Sequence, residues 1–170
     1  MSKEIFYGAA IQGQSNRGER AHIHRTAIDV IKTEGFSVLS EHTSGQTRVE
    51  TIRFLDRAIG SVADGRSRAS FVRRSMLRFI DRDSLSGVVF EVSTPSTGTG
   101  IEIEHACTRE ERRLDPVPIL ALYERDYWPH GLSTMVRGIE EDEIPNFRLE
   151  EYEDVGELAR GIRKFLRQLR

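Results

Sequence analysis

The sequence predicts a three-layer α/β sandwich built on a five-stranded parallel sheet, and three observations predict it. Short, apolar, β-branched runs alternate with longer segments whose apolar residues recur at helical spacing. The runs are almost continuously apolar, as strands are when helices cover both faces of a parallel sheet. Finally, 170 residues with 38% apolar content suffice for one sizeable core,. No repeat, low-complexity tract or linker divides the chain, so residues 1–170 read as a single domain.

In chain order, Ile5 to Ile11 is the first strand, expected at the centre of the sheet, and it runs into a turn holding Gly13. Glu19 to Glu34 carries Ala21, Ile23, Ala27, Ile28 and Ile31 at roughly helical spacing, with Gly35 as the stop signal,. Phe36 to Leu39 is the second strand, and His42 lies just past its carboxyl end. Thr51 to Ile59 reads as a short helix and Gly60 to Ser67 as an exposed loop. A helix over Phe71 to Ile80 follows, set by Val72, Met76, Phe79 and Ile80. The seven arginines between Arg53 and Arg78 make this region basic, either as a solvated face or as an anion-docking surface,. Val117 to Tyr123 is a buried strand, Tyr127 to Gly138 a connection and Asn146 to Leu149 a short edge strand. Leu158, Ile162, Phe165, Leu166 and Leu169 mark a closing amphipathic helix over Val155 to Leu169,. The resulting order, βαβαβαβαβα, is that of a Rossmann or flavodoxin-like sheet.

The stretch from Val88 to Ala106 organises the rest. Val88 to Val92 is a buried strand, which Pro95 ends because proline has no ladder N–H. The loop Ser93 to Gly100 then feeds a helix that runs through Ile103 to Arg113. Such a loop lies at the carboxyl edge of the sheet, where α/β proteins bind ligands, and its unpaired backbone N–H groups suit a phosphate or carboxylate. Glu102 is expected in the first helical turn. Its carboxylate is there either as a reactive group or as a complement to the helix dipole.

Several classes are disfavoured. The 25 basic and 27 acidic residues nearly balance, so long nucleic acid is not an expected partner,. Cys107 stands alone, no signal-peptide pattern precedes the first strand and no apolar run would span a membrane, so a cytoplasmic protein is expected,. His22 and His24 are two apart on a helix and point in different directions, so no metal site is expected. A P-loop lysine, the dinucleotide fingerprint and a serine elbow are all missing.

Four motifs in order carry a family resemblance. They are Ile5-Phe6-Tyr7-Gly8-Ala9-Ala10-Ile11-Gln12-Gly13, Glu41-His42, Glu91-Val92-Ser93-x-Pro95-Ser96-x-Gly98-x-Gly100-x-Glu102, and Leu132-Ser133-x-Met135-x-Arg137-Gly138. Together they resemble the nucleoside 2-deoxyribosyltransferase superfamily, and within it the 2′-deoxynucleoside 5′-monophosphate N-glycosidases. The resemblance implies cleavage of the N-glycosidic bond of a nucleoside 5′-monophosphate without a cofactor, through a covalent intermediate on Glu102. It implies that Ile11, Gln12, Gly13, Ser96 and Gly98 hold the 5′-phosphate, with Ser133 supplied by the second subunit of a homodimer. Phe6, Gly8, His42 and Met135 would lie near sugar and base. Two positions depart from the family. Phe6 stands where the family has a tyrosine, a change that would make room for a 2′-hydroxyl, and the family's aspartate before the third strand is missing. Asp81 and Asp83 belong to the far edge of the sheet, which leaves Asp64 or no replacement. Base exchange and a non-catalytic nucleotide sensor remain open beside hydrolysis.

Overall fold

The computed structural model describes residues 3–11, 17–61, 65–127 and 131–170. Its five strands are β1 (Glu4–Ala9), β2 (Ser37–Val38), β3 (Leu85–Glu91), β4 (Ile119–Glu124) and β5 (Phe147–Tyr152). All pair in parallel, in the flavodoxin-like order β2-β1-β3-β4-β5. β1 is therefore interior but second in the row, and the middle place belongs to β3. The helices are α1 (Arg17–Thr33), α2 (Arg48–Ile59), α3 (Arg66–Ile80), α4 (Thr97–Cys107), α5 (Thr134–Arg137) and α6 (Val155–Gln168).

Strand alternation divides the core in two. Ile5, Tyr7, Val89, Leu120 and Leu122 meet Ala27 and Ile31 of α1 and Leu158, Ile162 and Phe165 of α6 on one face. Phe6, Val88, Phe90, Ile119 and Ala121 meet Met76 and Ile80 of α3, Ile103 and Ala106 of α4 and Val136 of α5 on the other. Leu55 and Ile59 of α2 also pack on this second cluster. Each such aliphatic side chain taken from water contributes about 1.5–3 kcal/mol, which fixes the register of the layers.

The segment between β2 and β3 is more helical than the sequence suggested. α2 begins three residues before Thr51 because Thr47 caps it. The Thr47 hydroxyl accepts from Glu50 N at 3.2 Å, and Glu50 Oε2 accepts in return from Gln46 N, the residue before the cap, at 2.9 Å, so one cap hydrogen bond runs in each direction. α3 starts at Arg66, inside the expected loop, with a first turn too polar to show apolar periodicity. Asp64 lies outside the described residues. The end of α3 faces the amino edge of the sheet, where Arg82 holds Glu4 at 2.8 Å, so Asp81 and Asp83 are far from the loop at Ser96, as expected. Among the described residues, no helix is long and apolar enough to cross a membrane.

Candidate functional site

With β2 on one side of β1 and β3 on the other, the chain leaves the sheet in opposite directions from β1 and β3. A crevice opens where their carboxyl ends diverge,. Gly8 near the end of β1 forms part of its floor. A methyl group at Gly8 would stand 2.6 Å from two ring carbons of Phe90 and 3.1 Å from Glu102 Oε2. Only a residue without a side chain lets the Glu102 carboxylate come down onto the backbone of β1.

Glu102 is not in the first helical turn. Ser96 is the N-cap of α4, its hydroxyl accepting from Thr99 N at 3.4 Å, and the helix runs from Thr97. Glu102 thus lies in the second turn, beyond the reach of the terminal dipole. Its half-buried carboxylate has no hydrogen bond or ion pair among the described residues, and burial pushes its pKa up to about 7. Helical side chains lean toward the amino terminus, so the carboxylate points back along α4 toward Ser96. Thr97 N and Gly98 N, in the first turn, have no partner among the described residues. They lie roughly 6 Å along the axis from Glu102, room for a sugar ring between an anion at the helix start and the carboxylate.

The other expected site residues divide. Gly98 is exposed, Ser96 and Ile11 are half-buried at the carboxyl edge, and His42 is buried in a short 3-10 turn, Glu41–Ser44, beyond β2. His42 Nδ1 has no partner among the described residues, and burial lowers its pKa to about 4, so the ring is neutral near pH 7. Gln12 and Gly13 lie outside the described residues. Phe6 requires a correction: it is fully buried, edge-on to Phe90 with ring centroids 6.1 Å apart, and presents no surface to a ligand. Ser133 precedes α5 with its hydroxyl unbonded among the described residues, and Met135 is 84% exposed, so it covers nothing in its own chain. A cavity of about 550 Å³ opens beside the crevice at the ends of β4 and β5, between Ser93, Tyr123, Tyr127, Leu132 and Arg137; Glu102 does not line it. Among the described residues, no three metal-ligating side chains converge.

Beneath the crevice, on the α1 and α6 face, is a buried polar network that sequence reasoning missed. Arg20 of α1 holds Glu91 at 2.7 Å, pairs with Glu124 and donates to the Tyr152 hydroxyl at 3.2 Å. Its guanidinium also stacks 4.4 Å from the centroid of Tyr127. Tyr152 donates to Glu91 Oε1 at 2.9 Å, and Ser93 binds the same oxygen through N, at 3.2 Å, and Oγ. Burial alone would raise Glu91, but Arg20 and Ser93 together hold its carboxyl below the usual range. The available signal was a single acid inside the apolar run Val88 to Val92, because a buried charge requires a partner.

These features define a class: a doubly wound parallel α/β protein whose switch-point crevice holds a desolvated glutamate and a helix start, both without partners among the described residues. No protein-family model matches the chain, and no curated protein matches it.

Proposed function

We propose that the chain hydrolyses the N-glycosidic bond of a nucleoside 5′-monophosphate, giving free base and (deoxy)ribose 5-phosphate. The observation that carries this reading is the Glu102 carboxylate lying unpaired on Gly8 at the switch point. The four motifs resembling the 5′-monophosphate N-glycosidases supply the substrate class. The 5′-phosphate sits on the free N–H groups of Thr97 and Gly98 with the Ser96 hydroxyl beside them. A carboxylate oxygen of Glu102 bonds to the anomeric carbon as the C–N bond breaks, and the electron pair leaves on the base, which takes a proton from water. Water then adds to the anomeric carbon, gives up a proton and frees the carboxylate, so one water is consumed per bond. Ser133, half-buried before α5, and Met135, turned out from its own chain, complete the crevice of a second copy.

The test is free-base release, followed by chromatography, from a panel of ribo- and deoxyribonucleoside monophosphates. Glu102→Gln keeps the shape and removes the nucleophile, so release falls at least about a thousandfold. Because Glu102 must be ionised to attack, kcat/KM rises as pH passes upward through about 7. A rate that falls there instead makes Glu102 the proton donor to the leaving base. Undiminished release by Glu102→Gln ends the reading.

A further inference from the structure

Charge is distributed very unevenly over the second face of the sheet. Residues 48–80 hold eight arginines against three acids in a chain of net charge −2. α3 alone has five arginines and no acid. Arg48, Arg53 and Arg57 of α2 and Arg73, Arg74 and Arg78 of α3 are exposed, and none has an acidic partner among the described residues. Beside them on α2, Val49 and Ile52 are 58% and 37% exposed.

The opposite end of the same face carries the complement. After α5 comes Glu140-Glu141-Asp142-Glu143, four consecutive exposed acids with no cationic partner among the described residues. Next to that run stands Met135, 84% exposed. Leu132, Val136, Ile139 and Ile144 pack on the cluster that also receives α2, α3 and α4, so basic helices and acidic run share one face. α4 leaves β3, the middle strand, and stands between them. Its outer surface exposes Ile101, 44% open.

A face that reads basic with apolar residues, then an apolar residue, then acidic with an apolar residue is complementary to itself when turned by a half-rotation. The geometry points to pairing of two copies about a two-fold axis through the outer face of α4. The arginines of α2 and α3 in each copy meet Glu140–Glu143 of the other, Met135 enters the other copy's crevice past Val49 and Ile52, and Ile101 meets its equivalent at the axis. The inference rests on the two-copy site proposed above and specifies what holds the copies together. Paired arginines suit such a contact, because a planar guanidinium grips a carboxylate with two hydrogen bonds. The same charges reject wrong orientations, where like would face like.

Two charge-reversed chains test the pairing by mass in solution, measured by sedimentation with circular dichroism as the check on folding. Arg73→Glu/Arg74→Glu sets acid against acid in both contacts, and Glu140→Arg/Glu141→Arg sets base against base. Each is expected to dissociate at least about 100-fold more readily than the parent chain. Mixing the two restores the two-chain mass, since each contact then joins opposite charges. A chain carrying all four changes also pairs with itself, which keeps the test valid if either reversed chain folds poorly alone. The parent pairing weakens from about 0.05 M to about 0.5 M salt. If both reversed chains pair as the parent does, the charge contact is wrong and the two-copy site stands. If the parent is a single chain at low salt, both fall.

Discussion

Two glutamates some ten residues apart, Glu91 at the end of β3 and Glu102 in α4, have taken opposite solutions to the same problem. Each loses water on folding. Glu91 is 1% exposed and recovers the cost from Arg20, Tyr152 and Ser93, so its carboxyl is held below the usual range. Glu102 recovers nothing among the described residues and is pushed up to about 7. A buried carboxylate with partners fastens elements together, here α1, β3 and β5. One left without them, in a crevice, carries unspent electrostatic energy that a developing positive charge can take up. The two faces of the sheet thus separate the paired carboxylate from the one without a partner among the described residues.

The widest expected difference is in stability. Removing the charge of Glu91 strands Arg20, which among the described residues keeps only the partly exposed Glu124 as a counter-charge. Glu91→Gln should cost about 3–5 kcal/mol in urea unfolding. Arg20→Met/Glu91→Leu should cost less than Glu91→Gln alone, because no charge is left unpaired. If the single change is nearly free, the network is not a fastening and the contrast fails.

Acid should act on the buried histidines next. His24, 2.9 Å from the Tyr7 hydroxyl, and His42 are both lowered to about 4, chiefly by burial. A histidine whose folded pKa lies below its unfolded value contributes stability that is complete above about 6.5 and is lost as pH falls toward 4. Each accounts for at most about 3 kcal/mol over that window. Melting temperature should drop steeply between those limits, and the drop should be shallower in His24→Gln and His42→Gln. Equal slopes in all three proteins would mean that neither ring is buried neutral.

The parts of this contrast that were legible in the sequence are the local ones. Alternating apolar runs located all five strands, and proline and glycine marked the loop after β3. The start of α4 was misread because Thr97-Gly98-Thr99-Gly100 are poor helix formers, held by the Ser96 cap and not by propensity,. The network was invisible for a different reason. Arg20 reaches Glu124 across 104 positions and Tyr152 across 132, and no local pattern encodes a pairing that only the assembled sheet creates. Phe6 shows the converse error: its place in the alternation was right, yet one layer of depth separates a crevice residue from the core beneath it.

Glu102 should respond to pH in the opposite sense to the histidines. Its folded pKa is raised, so its contribution is complete below about 4.5 and is lost as pH rises through about 7. Glu102→Gln should therefore leave stability unchanged at pH 4 and increase it by about 2 kcal/mol at pH 8, allowing for partial solvent access. A loss of stability at pH 8 would show that the carboxylate has a partner after all.

The smallest effect concerns Gly8, and it separates packing from chemistry. An added methyl must move the Phe90 ring, 2.6 Å away, and crowd the Glu102 carboxylate at 3.1 Å. Overpacking of this kind costs about 1–3 kcal/mol, while replacing glycine in a strand returns about 0.4–1 by restricting the unfolded chain. Gly8→Ala should lose about 1 kcal/mol net. Phe90→Leu in the same chain opens space for the methyl and should restore part of that loss, but it does nothing for the carboxylate. If the chain acts as proposed, the double variant should release base about as slowly as Gly8→Ala, with the deficit in kcat more than in KM, because the attacking oxygen is displaced while the proposed phosphate grip is intact. Recovery of the rate together with stability would mean that Gly8 only accommodates Phe90, and that the close approach of Glu102 to β1 has no part in the reaction.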